Sequence, residues 1–106
     1  MRDPAASAVL FEALGDKTRL RLVARLCTDG PMSITRLTAG SHVTRQAIRK
    51  HLRKMEEAGL ARSRRRGRES VWQLEQSRLE EARQYLAVIS KQWDDALGRL
   101  RKFVEE

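Results

Sequence analysis

The hydrophobic positions of this 106-residue chain change period along its length, and each change marks a boundary between elements. In "PAASAVLFEALG" the apolar residues fall at helical spacing, Asp3 stands as an N-cap before the first-turn Pro4, and Gly15 sits where a helix should stop. This predicts a helix over 4–14. Asp16 can cap a second helix, "KTRLRLVARLC", with Leu20, Val23, Ala24 and Cys27 on one face and Arg19, Arg21 and Arg25 largely elsewhere. "TDGP" at 28–31 ends it. Ser33 can cap the short "ITRLTA", closed by Gly40. After the turn "SHV", Thr44 caps a run in which Ile48, Leu52 and Met55 are four and three apart, and Gly59 terminates that run. Two helices joined by a short turn over 33–58 make a helix-turn-helix.

Beyond Gly59 the helical stripe disappears. "LARSRRRGRESVWQL" has short apolar ends around a polar centre containing Gly67, which predicts a two-stranded hairpin of 60–66 and 69–74. From Ser77 the period returns: Leu79, Ala82, Leu86, Ile89, Trp93, Ala96, Leu100 and Phe103 recur at alternating steps of three and four, a heptad pattern over 77–104. A helix of about 27 residues is roughly 40 Å long at ~1.5 Å per residue, more than a domain of this size covers by itself. The stripe therefore suits a dimer interface, or alternatively a ligand pocket lined by Tyr85 and Trp93. No repeat or linker divides the chain, so residues 1–106 are read as one domain, mainly α with a small β-hairpin.

Charge sharpens this picture. The chain carries a net +8, and the window 44–68 alone holds ten basic residues against two acids, so the whole excess sits there. A local excess implies a surface that faces a polyanion. A basic helix after a tight turn, followed by an arginine-tipped hairpin, is the order of elements in a winged helix-turn-helix, whose second helix enters the major groove of double-stranded DNA while the wing reaches backbone or minor groove. Arg64, Arg65, Arg66 and Arg68 are then wing contacts, with Val71, Trp72 and Leu74 anchoring the hairpin. Thr44 and Gln46 can donate and accept at base edges or phosphate. Arg45 or Arg49 can make the bidentate contact to guanine O6 and N7, worth ~1–3 kcal/mol of discrimination. Lys50, Arg53 and Lys54 are expected at the DNA backbone.

The segments "LGDKTRLRLV" (14–23), "SHVTRQAIRKHLRKMEEAGL" (41–60) and "ARSRRRGRESVWQL" (61–74) together resemble the ArsR/SmtB family of bacterial transcriptional regulators, over roughly residues 8–80. The resemblance implies a homodimeric winged helix-turn-helix repressor whose first and last helices form the interface, here through Val9, Leu10, Leu86, Ile89, Trp93 and Leu100. Where family members place base-contacting residues, this chain has Thr44, Arg45, Gln46 and Arg49. A two-fold dimer implies an inverted-repeat operator with half-sites about one helical turn, ~10 bp, apart. The last helix also resembles that of ArsR-like regulators without metal ligands, often encoded beside a small-molecule-binding protein of the SRPBCC type.

Metal sensing of the family's kinds is not expected. "ITRLTAG" holds no cysteine pair, and no histidine follows His51, whereas a zinc site needs about four N or S ligands. No metal or other cofactor is therefore implied, although the resemblance leaves room for a small-molecule or protein effector. Cys27 is read as a small buried hydrophobe, with a redox role as the alternative. His51 is read as packed or backbone-bonded, and His42 as a turn residue that can touch phosphate. No nucleophile-base arrangement or phosphate-cradling loop occurs, and the pairs Glu56-Glu57, Glu80-Glu81 and Asp94-Asp95 diverge on helices as solvated surface, so an enzyme is not expected. The lone cysteine and the absence of an apolar leader or anchor in "MRDPAASAVLFEALG" point to the cytoplasm, away from any membrane. The alternative to a sequence-specific regulator is an architectural or protein-interaction module that uses the winged fold and binds DNA nonspecifically.

Overall fold

The structure is a computed structural model that describes residues 4–105; the cap expected at Asp3 lies outside them. The chain forms α1 (Pro4–Leu14), α2 (Lys17–Asp29), β1 (Met32–Ser33), α3 (Ile34–Thr38), α4 (Arg45–Glu57), β2 (Ala61–Arg66), β3 (Glu69–Leu74) and α5 (Gln76–Glu105). Three helix starts are fixed by side chains accepting from the backbone N–H three residues on. Asp16 accepts from Arg19 N at 3.0 Å, Ser33 from Arg36 N at 3.2 Å and Thr44 from Ala47 N at 3.1 Å. The end of α4 is equally local: Gly59 adopts φ +78°, and the bonds Leu60 N to Met55 O and Gly59 N to Glu56 O, both 2.9 Å, complete a Schellman motif. That turn drops Leu60 into the core and launches the hairpin.

The sheet has three antiparallel strands in the order β1-β3-β2, with Met32 opposite Trp72 and Ala61 opposite Leu74. β1 is an addition to the expected two-stranded hairpin. The core gathers Leu22 and Leu26 of α2, Ile34 and Leu37 of α3, the expected Ile48, Leu52 and Met55 of α4, and Met32, Leu60 and Trp72 around the sheet.

Three expectations need correction. Leu10 is wholly buried in this chain's own core and has no surface left for a dimer contact, whereas Val9 beside it is exposed. The inward face of α2 is Leu22 and Leu26 with Val23 partly covered, while Leu20, Ala24 and Cys27 are exposed. The phase differs from the expected one because two arginines, Arg19 and Arg25, occupy half-buried positions. Arg19 Nε donates to Ala13 O at 2.6 Å and Nη2 to Glu12 O at 3.4 Å, and Arg25 Nη1 donates to Leu37 O at 3.1 Å. Long side chains with charged tips thus satisfy the terminal carbonyls of α1 and α3. Finally, Glu81 is not a solvated acid but a mostly covered one, paired with Arg78 at 3.0 Å.

α5 runs for 30 residues and gives the molecule its 66 Å length. Its first turns pack on α1, where Phe11 and Tyr85 meet with ring centroids 5.8 Å apart, and Ala82 is buried. Beyond that the stripe emerges: Leu86, Trp93, Leu97, Leu100, Phe103 and Val104 are exposed, and Ile89 is half-covered. Among the described residues no helix is long and apolar enough to cross a membrane.

Candidate nucleic-acid interface

Arg45, Arg49 and Arg53 are four residues apart and so share one flank of α4. They face the hairpin across a groove of about 410 Å³, which Arg68 of the wing turn enters from the other side. Ser33, Ile34 and Thr35 of the β1–α3 corner, Ser63 and Ser70 of the strands and the indole of Trp72 complete the lining, together with two carboxylates, Glu56 and Glu69. The groove is thus lined by four arginines, with hydroxyl side chains among them. Backbone phosphates and base edges are the ligands that suit this chemistry.

The expected base readers and backbone contacts are regrouped by this geometry. Arg45 and Arg49 line the groove, and Arg53 joins them. Gln46 and Lys50 are exposed on the neighbouring flank, and Lys54 Nζ lies 4.0 Å from Glu12 Oε1 of α1. Thr44 uses a hydroxyl lone pair to cap α4, which leaves its O–H free to donate outward. Arg45 Nη1 donates to Thr35 Oγ1 at 3.2 Å. His51, on the half-buried back of α4, meets side chains rather than backbone: Nδ1 lies 3.2 Å from Arg19 Nη1 and 3.8 Å from Asp16 Oδ2. The bond from Arg19 N to its carboxylate holds the Asp16 carboxyl below its ordinary value, with the His51 and Arg19 charges adding to this. These contacts seat α4 on α2 with its arginine flank outward.

In the wing, strand alternation sorts the arginines. Arg62, Arg64 and Arg66 share a face with Gln73, Val71 and Glu69, while Arg65 shares the Trp72 face with Ser63 and Ser70. Arg62 is spent on the frame, its Nε 2.6 Å from Glu75 Oε1. Arg64, Arg65, Arg66 and Arg68 are exposed. The turn is Gly67-Arg68, with φ +64° at Gly67 and no positive φ at Arg68, the pattern of a type II′ hairpin turn. Of the expected anchors Trp72 is buried and Leu74 packs on the core, but Val71 lines an outer recess with Arg64, Arg65 and Arg66. Sequence reasoning missed Thr35, Ser63, Ser70, Glu56 and Glu69. The two serines were readable from alternation with Trp72, whereas Thr35 needed the packing of α3 on α4.

A family model described as a helix-turn-helix domain matches residues 14–64. An uncharacterized HTH-type transcriptional regulator of Bacillus subtilis, YuzN, is 38% identical over 68 residues, 58% of this chain and 74% of that protein. The arsenic resistance transcriptional regulator ArsR1 of Pseudomonas putida is 30% identical over 67 residues, 63% of this chain but only 52% of the relative, about half its length. Among solved structures, an ArsR-like transcriptional regulator from Rhodococcus sp. RHA1 superposes with a TM-score of 0.75 at 31% identity, covering 93% of this chain and 92% of that one. The chain belongs to the ArsR family. ArsR-family members are winged helix-turn-helix transcriptional regulators that bind DNA, and in this ArsR-family chain the α4–wing groove is lined by Arg45, Arg49, Arg53 and Arg68. Among its described residues no group of three or more His, Cys, Asp or Glu side chains is placed to hold a metal ion.

Proposed function

We propose that the chain acts as a cytoplasmic, homodimeric repressor that reads an inverted-repeat operator, without a catalytic step. The observation that carries this reading is the convergence of Arg45, Arg49 and Arg53 of α4 with Arg68 of the wing on one groove. Arg45 and Arg49 meet base edges from the groove, with Thr44 and Gln46 beside it at the start of α4; Arg53 meets phosphate further along, and Arg64, Arg65, Arg66 and Arg68 of the wing hold the flanking backbone or minor groove. The exposed stripe of α5, with Val9 of α1, supplies the pairing surface. A dimer seated across a promoter blocks polymerase without further contacts, and an effector would act by moving the two reading heads out of register.

Selection of bound sites from a random duplex library at near-physiological salt tests this. The expected result is an enriched inverted repeat with half-site centres about one turn, ~10 bp, apart, and an affinity that falls steeply as salt rises. Tight, salt-sensitive binding with no enriched sequence would instead support a nonspecific architectural module.

A further inference from the structure

Thr35 and Arg45 are ten residues apart in sequence, on different helices, yet Arg45 Nη1 donates to Thr35 Oγ1 at 3.2 Å on the exposed lip of the groove. The other threonine of α3 behaves differently: Thr38 Oγ1 turns back to Ile34 O of its own helix at 2.7 Å. Thr35 thus turns its hydroxyl across the helix-turn-helix to a residue of α4. A guanidinium is planar, so one bond at Nη1, together with the anchored Cα at the start of α4, restricts the orientations in which its remaining N–H groups point. A bidentate contact to a base edge needs that plane fixed, and an unrestrained arginine must first be immobilised.

We infer that Thr35 is a positioning residue for base readout: its hydroxyl pre-orients the Arg45 fork, so that a residue outside the recognition helix sets the sequence preference of that helix at one base pair. This rests on the operator-reading function proposed above. The effect falls on specificity, because the charge of Arg45 and the phosphate contacts are the same with or without the hydroxyl.

The test is position-resolved selection with wild type, Thr35→Val, Thr35→Ser and Arg45→Ala, each also titrated against salt. Valine keeps the branched shape without the hydroxyl; serine keeps the hydroxyl. Thr35→Val should lose about two- to tenfold of base preference, the immobilisation cost of one long side chain, at the same base pair that Arg45→Ala flattens. The other positions and the salt slope should stay as in wild type, and Thr35→Ser should restore the preference. A wild-type profile for Thr35→Val overturns the inference. So does uniform weakening over all sequences at the wild-type salt slope, which would make Thr35 an uncharged phosphate contact itself. A wild type that enriches no sequence removes the operator-reading function, and the inference with it, a result distinct from either of these.

Discussion

Ser33 closes a strand and opens a helix at once. It pairs across the sheet with Val71 as the end of β1, and its hydroxyl accepts from Arg36 N to start the five-residue α3. Ser33→Ala should lower the unfolding free energy by about 1 kcal/mol, the usual cost of a lost N-cap, read as a shift of the urea midpoint at unchanged slope. Ser33→Thr should recover most of it. Asp16 adds a pH signature. Its carboxyl sits below the ordinary 3.8 because Arg19 N donates to the ionised form. Its contribution to stability is therefore complete above that value and is lost as the pH falls through the folded one. Asp16→Asn keeps a cap acceptor without the charge, so it should be less stable than wild type near neutrality, the difference closing as the pH falls through the folded value. Parallel acid limbs for the two proteins would contradict that assignment. These caps were legible in the sequence because donor and acceptor are three residues apart. Arg19 and Arg25 were not, because their carbonyl partners lie six and twelve residues away and come within reach only when helices pack.

At the scale of elements, the flanks of α4 decide which basic residues touch DNA. Lys50, Arg53 and Lys54 looked equivalent in sequence, one turn or more beyond the N-terminus of the helix. Helical spacing separates Arg53 from the two lysines, but only the position of the hairpin says which flank faces the groove. Arg53 does, and Lys54 leans toward Glu12. Arg53→Ala should therefore weaken binding to all duplexes and reduce the slope of log affinity against log salt by about one phosphate contact. Lys54→Ala should leave both nearly unchanged. Equal losses from the two substitutions in a salt-titrated binding assay would put the DNA on both flanks. The hairpin itself was legible from Gly67 and the loss of helical period. β1 was not, because two residues show no period; it exists because buried Met32 lies against Trp72 once α2 has delivered the chain there.

For the whole molecule, the outstanding physical fact is an apolar stripe left exposed among the described residues. The heptad spacing announced it, and the length of α5 implied that part of it must project. How much projects depended on where α1 packs along α5, which the Phe11–Tyr85 contact marks. Trp93 is 62% exposed, Leu100 59% and Phe103 78%. Covering a large apolar side chain contributes about 1.5–3 kcal/mol, so pairing several of them with those of a second copy is a strong drive to dimerise. Trp93→Glu places a charge in the middle of that surface while touching nothing in the chain's own core. The chain should therefore keep its helix content by circular dichroism, while sedimentation shows dissociation at concentrations where wild type remains paired. The consequence reaches the groove. Two reading heads on one rigid dimer bind a two-half-site duplex in one cooperative step, because the second contact is made at high effective concentration. Trp93→Glu should occupy the same half-sites independently and more weakly, with each recognition groove intact. If it stays dimeric, the stripe is not the pairing surface. If it becomes monomeric yet still binds both half-sites in one step, then the DNA itself assembles the pair.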